Sequence, residues 1–287
     1  MLAAGLSFVG VNGIVRYMGT DLPAAQSAFL RFGWGVLFLL PALSVVLRDG
    51  LPPGSLKLFL GRGAVHSGAV IFWFYAMARL PVAEVTAIGY LTPVLVTLGA
   101  AALLGERLAM RRLAAIAVAL AGAMVVLRPG LREVQAAHLA QVCAAALFAG
   151  SYLFAKTLSR IAGAATVVAM LSLTVTVVLA PLAIAVWQPV TAVQIALLAV
   201  VAGCATLGHY CMTRAFRLAP MAVTQPVTFL QLVWATLLGV LVFGEAVDPF
   251  VLAGGAMIIA AISYITWRET MMQRNRITPP IGETEGQ

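Results

Sequence analysis

The hydrophobic positions of this chain form long runs that are separated by short breaks rich in proline, glycine and charged residues. No Asp, Glu, Lys or Arg occurs between residues 161 and 213, or between residues 218 and 244. A helix that crosses a bilayer needs about 20 mostly apolar residues, and it satisfies its own backbone hydrogen bonds. The alternating period of a membrane β-barrel does not occur in these runs. The pattern predicts an all-α, polytopic membrane protein.

The breaks contain turn and helix-stop signals, which place the helix boundaries. Ten transmembrane helices are predicted, at residues 2–18, 24–47, 60–79, 81–104, 111–128, 136–157, 163–186, 191–213, 220–243 and 249–267. The segment after residue 268 is polar and carries two adjacent prolines. We expect residues 269–287 to form a short disordered cytoplasmic tail.

The second half of the chain repeats the punctuation of the first half. When residues 75–106 are aligned with 214–245, nine of the 32 positions are identical, including Pro81 with Pro220 and Glu106 with Glu245. Duplicated halves are typical of membrane transporters. The repeats are predicted to cover residues 1–130 and 131–268. Because each contains five helices, an odd number, the second repeat is expected to be inverted relative to the first.

Composition and charge agree with a membrane location. Hydrophobic residues make up 62% of the chain and charged residues 10%, and the mean hydropathy is +1.01. A soluble domain carries roughly 25% charged residues. Thirteen of the 18 Lys and Arg residues fall in loops on the side of the N terminus and four on the other side. The positive-inside rule then predicts that both termini are cytoplasmic. The net charge of +8 is explained by this asymmetry, and no clustered basic face indicates nucleic-acid binding.

Three stretches carry a family resemblance. The end of one family repeat is resembled by residues 78–84, 90–93 and 104–107. The end of the other is resembled by residues 215–220, 230–234 and 243–245. Residues 8–12, Phe-Val-Gly-Val-Asn, resemble the opening segment. Together the chain resembles the EamA-type branch of the drug/metabolite transporter superfamily. The resemblance implies a ten-helix, inverted-repeat carrier that moves a small metabolite, commonly outward, with exporters of aromatic amino acids and drugs as one branch.

Two charged residues fall inside predicted helices. Arg31 lies about seven residues into the second helix, roughly 10 Å below the surface at 1.5 Å per residue. It could bind a substrate carboxylate, form a gating or structural pair with Glu84, or extend to the interface. Glu84, in the first turn of the fourth helix, could instead complement the helix dipole.

Other polar and aromatic residues within the helices are candidates for the substrate lining or for contacts between helices. His66 could carry a coupled proton, or it could be a neutral hydrogen-bonding residue. Pro226 interrupts the ninth helix, and such breaks expose polar groups to substrates in transporters. Together with Arg31, the predicted substrate-binding residues are Asn12, His66, Trp73, Tyr90, Tyr210, Gln225, Gln231 and Trp234.

The leading functional hypothesis is a secondary transporter of the cell (inner) membrane that works by alternating access. Its substrate is expected to be an amino acid, an aromatic compound or an organic cation, moved outward. With Arg31 as the single buried cation, sugar phosphates are expected to be poor substrates.

The alternatives are an intramembrane enzyme, for which no catalytic motif is found, and a non-transporting assembly subunit. No cofactor or metal is expected; the expected partners are the lipid bilayer, a small-molecule substrate and, as one open alternative, a coupled proton. A monomer or homodimer is expected.

Overall fold

The computed structural model describes residues 2–104, 110–131, 133–218 and 221–277. All regular elements in these ranges are α-helices. They are α1 (Leu2–Met18), α2 (Ala24–Phe38), α3 (Leu40–Asp49), α4 (Leu56–Met77), α5 (Val82–Gly89), α6 (Leu91–Leu104), α7 (Met110–Leu127), α8 (Ala136–Leu158), α9 (Ala164–Ala185), α10 (Ala192–Leu218), α11 (Met221–Phe243) and α12 (Pro249–Ile277).

Two of the ten predicted helices are each divided into two. Helices α2 and α3 replace the second one and meet at an angle of 68°. Pro41 causes this bend, because it has no N–H to donate and its ring clashes with the carbonyl of Leu37. Helices α5 and α6 replace the fourth one and meet at Tyr90, where Pro93 acts in the same way on the carbonyl of Gly89.

Four of the described helices are long and apolar enough to cross a membrane, and the bent pair of α2 and α3 makes a fifth. Shorter apolar helices lie at Leu2–Met18, Val82–Val96, Leu113–Leu127 and Leu230–Phe243. The multi-pass, all-helical prediction is therefore confirmed, while the number of ten spans stays a prediction. Helix α12 continues to Ile277, past the expected start of the disordered tail, and residues 278–287 lie outside the described residues.

The helices pack as two equivalent halves. In helix order, α1–α7 correspond to the first predicted repeat and α8–α12 to the second. Helix α4 packs on α8 as α10 packs on α1, and α4 packs on α9 as α10 packs on α2. Helix α6 packs on α8 as α11 packs on α1. Three further contacts, α2 with α9, α7 with α12 and α5 with α11, each pair a helix with its counterpart in the other half. Each of these contacts is preserved when the two halves are exchanged, as expected for repeats related by a two-fold axis.

The two largest hydrophobic cores among the described residues join helices of both halves. The first lies among α1, α2, α4, α9 and α10, with Phe32, Phe74 and Leu179 at its centre. The second lies among α5, α6, α7, α11 and α12, around Ile88 and Ile258. Both cores contain helices from each half, so neither half buries its apolar surface alone.

Candidate functional site

A chain of aromatic contacts in the first core connects three of the predicted site residues. The guanidinium carbon of Arg31 lies 3.8 Å from the ring centroid of Phe32, and the Phe32 ring lies 5.8 Å from that of His66. The His66 ring contacts Phe148 at 5.1 Å, and Phe148 contacts Trp73 at 5.6 Å. We call these five residues the central cluster. Edge-to-face geometry at these distances is favourable for aromatic rings.

His66 is held from both halves. Its Nδ1 lies 2.9 Å from the hydroxyl oxygen of Ser151 on α8, and the ring is buried. A second histidine lies on the matching helix of the other half. His209 on α10 contacts Phe8 on α1, also edge to face and also at 5.1 Å. The contacts α4·α8 and α10·α1 are equivalent, and each contains one histidine–phenylalanine pair that joins the two halves.

Arg62 is a second buried cation, which the sequence analysis counted as a loop residue. Helix α4 begins at Leu56, earlier than the predicted start at residue 60, so Arg62 lies six residues into the helix instead of near its end, and it is only 5% exposed. One of its N–H groups donates to the carbonyl of Val167 on α9 at 3.2 Å. The expectation that Arg31 is the single buried cation is therefore wrong. The physical reason is that residues 56–60 continue the helix and bring Arg62 between α4 and α9.

In the part of the chain that the structure describes, neither guanidinium group is paired with an acid. Arg31 is 6% exposed, and the Nε of each arginine is buried without a hydrogen-bond partner. Among the described residues, no carboxylate forms an ion pair with either one. His66 lies within electrostatic range of Arg31, Arg62 and His209. The centre of the bundle is therefore electropositive.

Polar contacts join the halves at the end of the bundle where α1 ends, which we call the far end. Arg16 on α1 pairs with Glu245, which follows α11, at 3.1 Å. The other carboxylate oxygen of Glu245 accepts the backbone N–H of Val82 at 3.0 Å, and so caps the start of α5. Arg16 also donates to the carbonyl of Ala78 at 3.2 Å. Glu245 of the second half thus binds both the start of α5 and the end of α1 in the first half.

Two further contacts join the halves at the far end. The side-chain amide of Gln26 donates to the carbonyl of Gln188 at 2.8 Å, and its oxygen accepts the N–H of Gln188 at 2.9 Å. Arg128, after α7, pairs with Asp248, before α12. A cleft of about 500 Å³ lies beside Arg128 and Asp248 and is lined in part by Glu84, Thr236 and Glu245.

Glu84 lies in the first turn of α5, as predicted, but its partner is different. Its carboxylate lies 2.9 Å from Nε2 of His138, and both side chains are 3% exposed. His138 also accepts the N–H of Gln135 through Nδ1 and so caps the start of α8. The predicted pair of Arg31 with Glu84 does not form in this conformation, because α8 places His138 on Glu84 and Arg31 stacks on Phe32.

The remaining predicted site residues lie away from the central cluster. Asn12 donates to the hydroxyl of Thr86 at 3.3 Å, and Tyr90 is buried in the second core. Gln231 lies beside Gly5 on α1, whereas Tyr210 and Trp234 are exposed. The Gln225 side chain lies outside the described residues, although α11 includes its backbone.

Sequence reasoning missed Arg62, Phe148, Ser151 and His138 as parts of polar or aromatic sites. Only Phe148 had a usable signal, since it aligns with Phe8 in the repeat. The others became visible once helix packing placed them against Val167, His66 and Glu84.

The family is decided by comparison with known sequences. The profile of the EamA-like transporter family matches this chain twice, over residues 1–128 and 135–267. The chain belongs to the EamA-like transporter family. The predicted resemblance is thereby confirmed, and this EamA-family chain is a multi-pass membrane protein related to transporters.

Relatives of this EamA-family protein carry different substrates in their names. A riboflavin transporter of Rhizobium johnstonii is 30% identical over 96% of this chain and 92% of its own length. An S-adenosylmethionine uptake transporter of Rickettsia prowazekii is 25% identical over 90% and 88%. The pseudopaline exporter CntI of Pseudomonas aeruginosa is 27% identical over 90% and 91%. One solved crystal structure, 21% identical, matches with a TM-score of 0.60 over 94% of this chain and 98% of the other, which supports the fold.

Proposed function

We propose that this protein is a secondary transporter that moves a small amphipathic metabolite across the cell (inner) membrane. The observation that carries the proposal is the central cluster, to which both halves contribute. Arg31, His66 and Trp73 come from the first half and Phe148 from the second, which also supplies Ser151 as the hydrogen-bond partner of His66. Aromatic faces with a few placed polar groups are the composition of a small-molecule site. A site shared by two repeats can be opened to either side by moving one repeat against the other.

The far-end contacts define which side is closed in this conformation. The pairs Arg16–Glu245, Gln26–Gln188 and Arg128–Asp248 each join the two halves. For the central cluster to open toward the far end, these contacts must break. We therefore assign this structure to a state that is closed at the far end.

The orientation of the repeats and of the termini is part of the proposal. The exchange symmetry of the helix contacts supports two five-helix repeats, and the distribution of Lys and Arg supports cytoplasmic termini. Reporter fusions after Gln287 and in the loop near Pro189 should report opposite compartments. The same compartment for both would contradict the inverted ten-span topology.

The direction of transport is proposed to be outward. The names of the relatives include both uptake and export, so they do not favour either direction. The support for outward transport is the resemblance of the sequence to exporters. Cells that produce the protein should gain resistance to toxic amino-acid analogues. Greater sensitivity, caused by increased uptake of the same compounds, would reverse the assigned direction.

The experiment that tests transport itself uses purified protein in proteoliposomes. Radiolabelled amino acids, riboflavin and organic cations are offered with and without a pH gradient. We expect saturable uptake of at least one compound above protein-free liposomes, and loss of that uptake in Arg31→Leu without loss of folded protein. Wild-type uptake rates in Arg31→Leu would mean that Arg31 does not belong to the substrate site.

A further inference from the structure

Arg31 in the central cluster and Arg62, one helical turn before His66, are buried cations, and neither pairs with a carboxylate in the part of the chain that the structure describes. The guanidinium group of Arg31 contacts the ring of Phe32, and that of Arg62 donates one hydrogen bond to the carbonyl of Val167. Moving an ionised group out of water is costly unless it is paired and hydrogen-bonded. A guanidinium group has five N–H donors, and the Nε donors of both arginines are buried and unused.

The positions of the two arginines suggest where a counter-charge would lie. Arg31 is seven residues from the start of α2, about 10 Å from the far end, and Arg62 is six residues from the start of α4, about 9 Å from the opposite end. His66 is four residues after Arg62, one turn further into the bundle on the same helix face. The two cations therefore lie on opposite sides of His66 along the bundle, and each is within electrostatic range of it.

The groups around this position suit a planar or aromatic body attached to an anion. Phe32 and Phe148 contact the His66 ring from two sides, and Tyr152 stacks on Phe148 at 6.3 Å. Tyr152 also interacts electrostatically with Arg62. Arginine binds carboxylate and phosphate oxygens through two parallel hydrogen bonds, which no neutral ligand atom can match.

We propose that Arg31 and Arg62 bind an oxyanion of the transported molecule, so that the substrate is a carboxylate- or phosphate-bearing aromatic compound. This inference rests on the proposed transport function. It narrows the expected substrate range, because an organic cation would be repelled by the same two arginines. The sequence predicted that phosphorylated compounds are poor substrates, and that prediction assumed a single buried cation. With two buried arginines, a phosphate-bearing compound becomes a candidate substrate.

The test measures binding to the purified full-length protein in nanodiscs, without requiring transport. The probes are benzoate, phenyl phosphate and the neutral isostere benzamide, added at constant ionic strength in chloride buffer. A ligand that binds only the folded state stabilises it by RT ln(1 + L/Kd), where L is the free ligand concentration, so the Tm rises with ligand concentration and affinity. We expect benzoate or phenyl phosphate to raise the Tm and benzamide to have at least tenfold weaker apparent affinity. The stronger of the two anions identifies the class of oxyanion.

Variants show whether the arginines are responsible. Arg31→Gln and Arg62→Gln should each weaken binding of the anionic probe at least tenfold and leave benzamide unchanged. Arg48→Gln is the matched control, because Arg48 is exposed and pairs with its neighbour Asp49. The wild-type comparison needs no variant and decides the matter even where a variant fails to fold. Equal effects of benzoate, phenyl phosphate and benzamide on the wild-type Tm would overturn the proposal.

The two proposals can fail separately. Uptake of the same three probes into proteoliposomes reports transport, whereas the Tm reports binding. Anion-dependent stabilisation without uptake of any probe would contradict the transport function and leave the anion site in place. Uptake of benzamide that equals uptake of both anions would retain the transport function and remove the anion site.

Discussion

Glu245 and Arg16 are 229 positions apart in sequence, yet their side chains meet at 3.1 Å at the far end of the bundle. The same carboxylate accepts the N–H of Val82, where α5 begins after the Pro81 break. One side chain of the second half therefore fixes two elements of the first half. In a transporter, such a contact is expected to contribute to the stability of one conformation and to be absent from the opposite one.

Glu245→Gln is predicted to weaken the far-end contacts while keeping an acceptor for Val82. Loss of the charged partner of Arg16 should lower the stability of this conformation by about 1–3 kcal/mol, the usual range for a hydrogen bond to a charged group. Labelling of a cysteine introduced at Gln26 should become faster, because the far end opens more often. Arg48→Gln serves as the control, since its exposed pair with Asp49 is expected to contribute under about 1 kcal/mol.

A second prediction concerns the close approach of α4 to α9. A Cβ atom on Gly63 would lie 2.4 Å from the Thr174 hydroxyl oxygen, so Gly63→Ala forces the two helices apart. Overpacking of this kind costs about 1–3 kcal/mol. Gly33, also inside a helix, has no neighbouring atom within 4 Å of such a Cβ. The Tm should fall in Gly63→Ala and stay or rise in Gly33→Ala; the reverse order would contradict the packing of these helices.

A third prediction tests the aromatic part of the central cluster. Trp73→Ala removes the ring that contacts Phe148 and Phe74, and it should raise the apparent KM of a transported aromatic compound about tenfold, equivalent to roughly 1.4 kcal/mol. Trp267→Ala is the matched control, because Trp267 is half exposed and lies far along α12. Equal effects of the two substitutions would mean that Trp73 acts through general stability.

A fourth prediction addresses the open question about His66. A glutamine at this position can still hydrogen-bond to Ser151 but cannot carry a proton. If His66 carries the coupled proton, His66→Gln should lose accumulation driven by a pH gradient and keep exchange of substrate on both sides. Gradient-driven accumulation at the wild-type level in His66→Gln would assign His66 the neutral hydrogen-bonding role instead.

The sequence predicted the helices well because membrane helices depend mainly on local features. Long apolar runs and their proline, glycine and charged boundaries placed α1 at Leu2–Met18, as expected, and most other helices within a few residues. The breaks within α2–α3 and α5–α6 depend on more than a proline. Pro41 accompanies a 68° bend, whereas Pro181, its counterpart in the repeat, lies inside the continuous helix α9. Surrounding contacts decide whether a proline ends a helix or is accommodated in it.

The candidate site was predicted less completely, because it depends on contacts between distant helices. His66 and Trp73 were recognised as polar and aromatic residues within a predicted helix, and Arg31 from its depth. The partner of Glu84 could not be derived, since His138 reaches it only through the packing of α8 on α5. Arg62 was missed because it follows the predicted helix start at residue 60 by only two residues and was counted with the loop charges, whereas the helix begins at Leu56 and Arg62 is buried.

The most direct test of alternating access holds the far end closed and measures transport. Arg16 and Glu245 are replaced by cysteine in a protein whose Cys143, Cys204 and Cys211 are changed to serine. A bifunctional methanethiosulfonate reagent then links positions 16 and 245, and the single-cysteine variants serve as controls. The account predicts that linking stops substrate uptake in proteoliposomes and that reduction of the link restores it. Full uptake with the link intact would contradict a mechanism in which the two halves separate at this end.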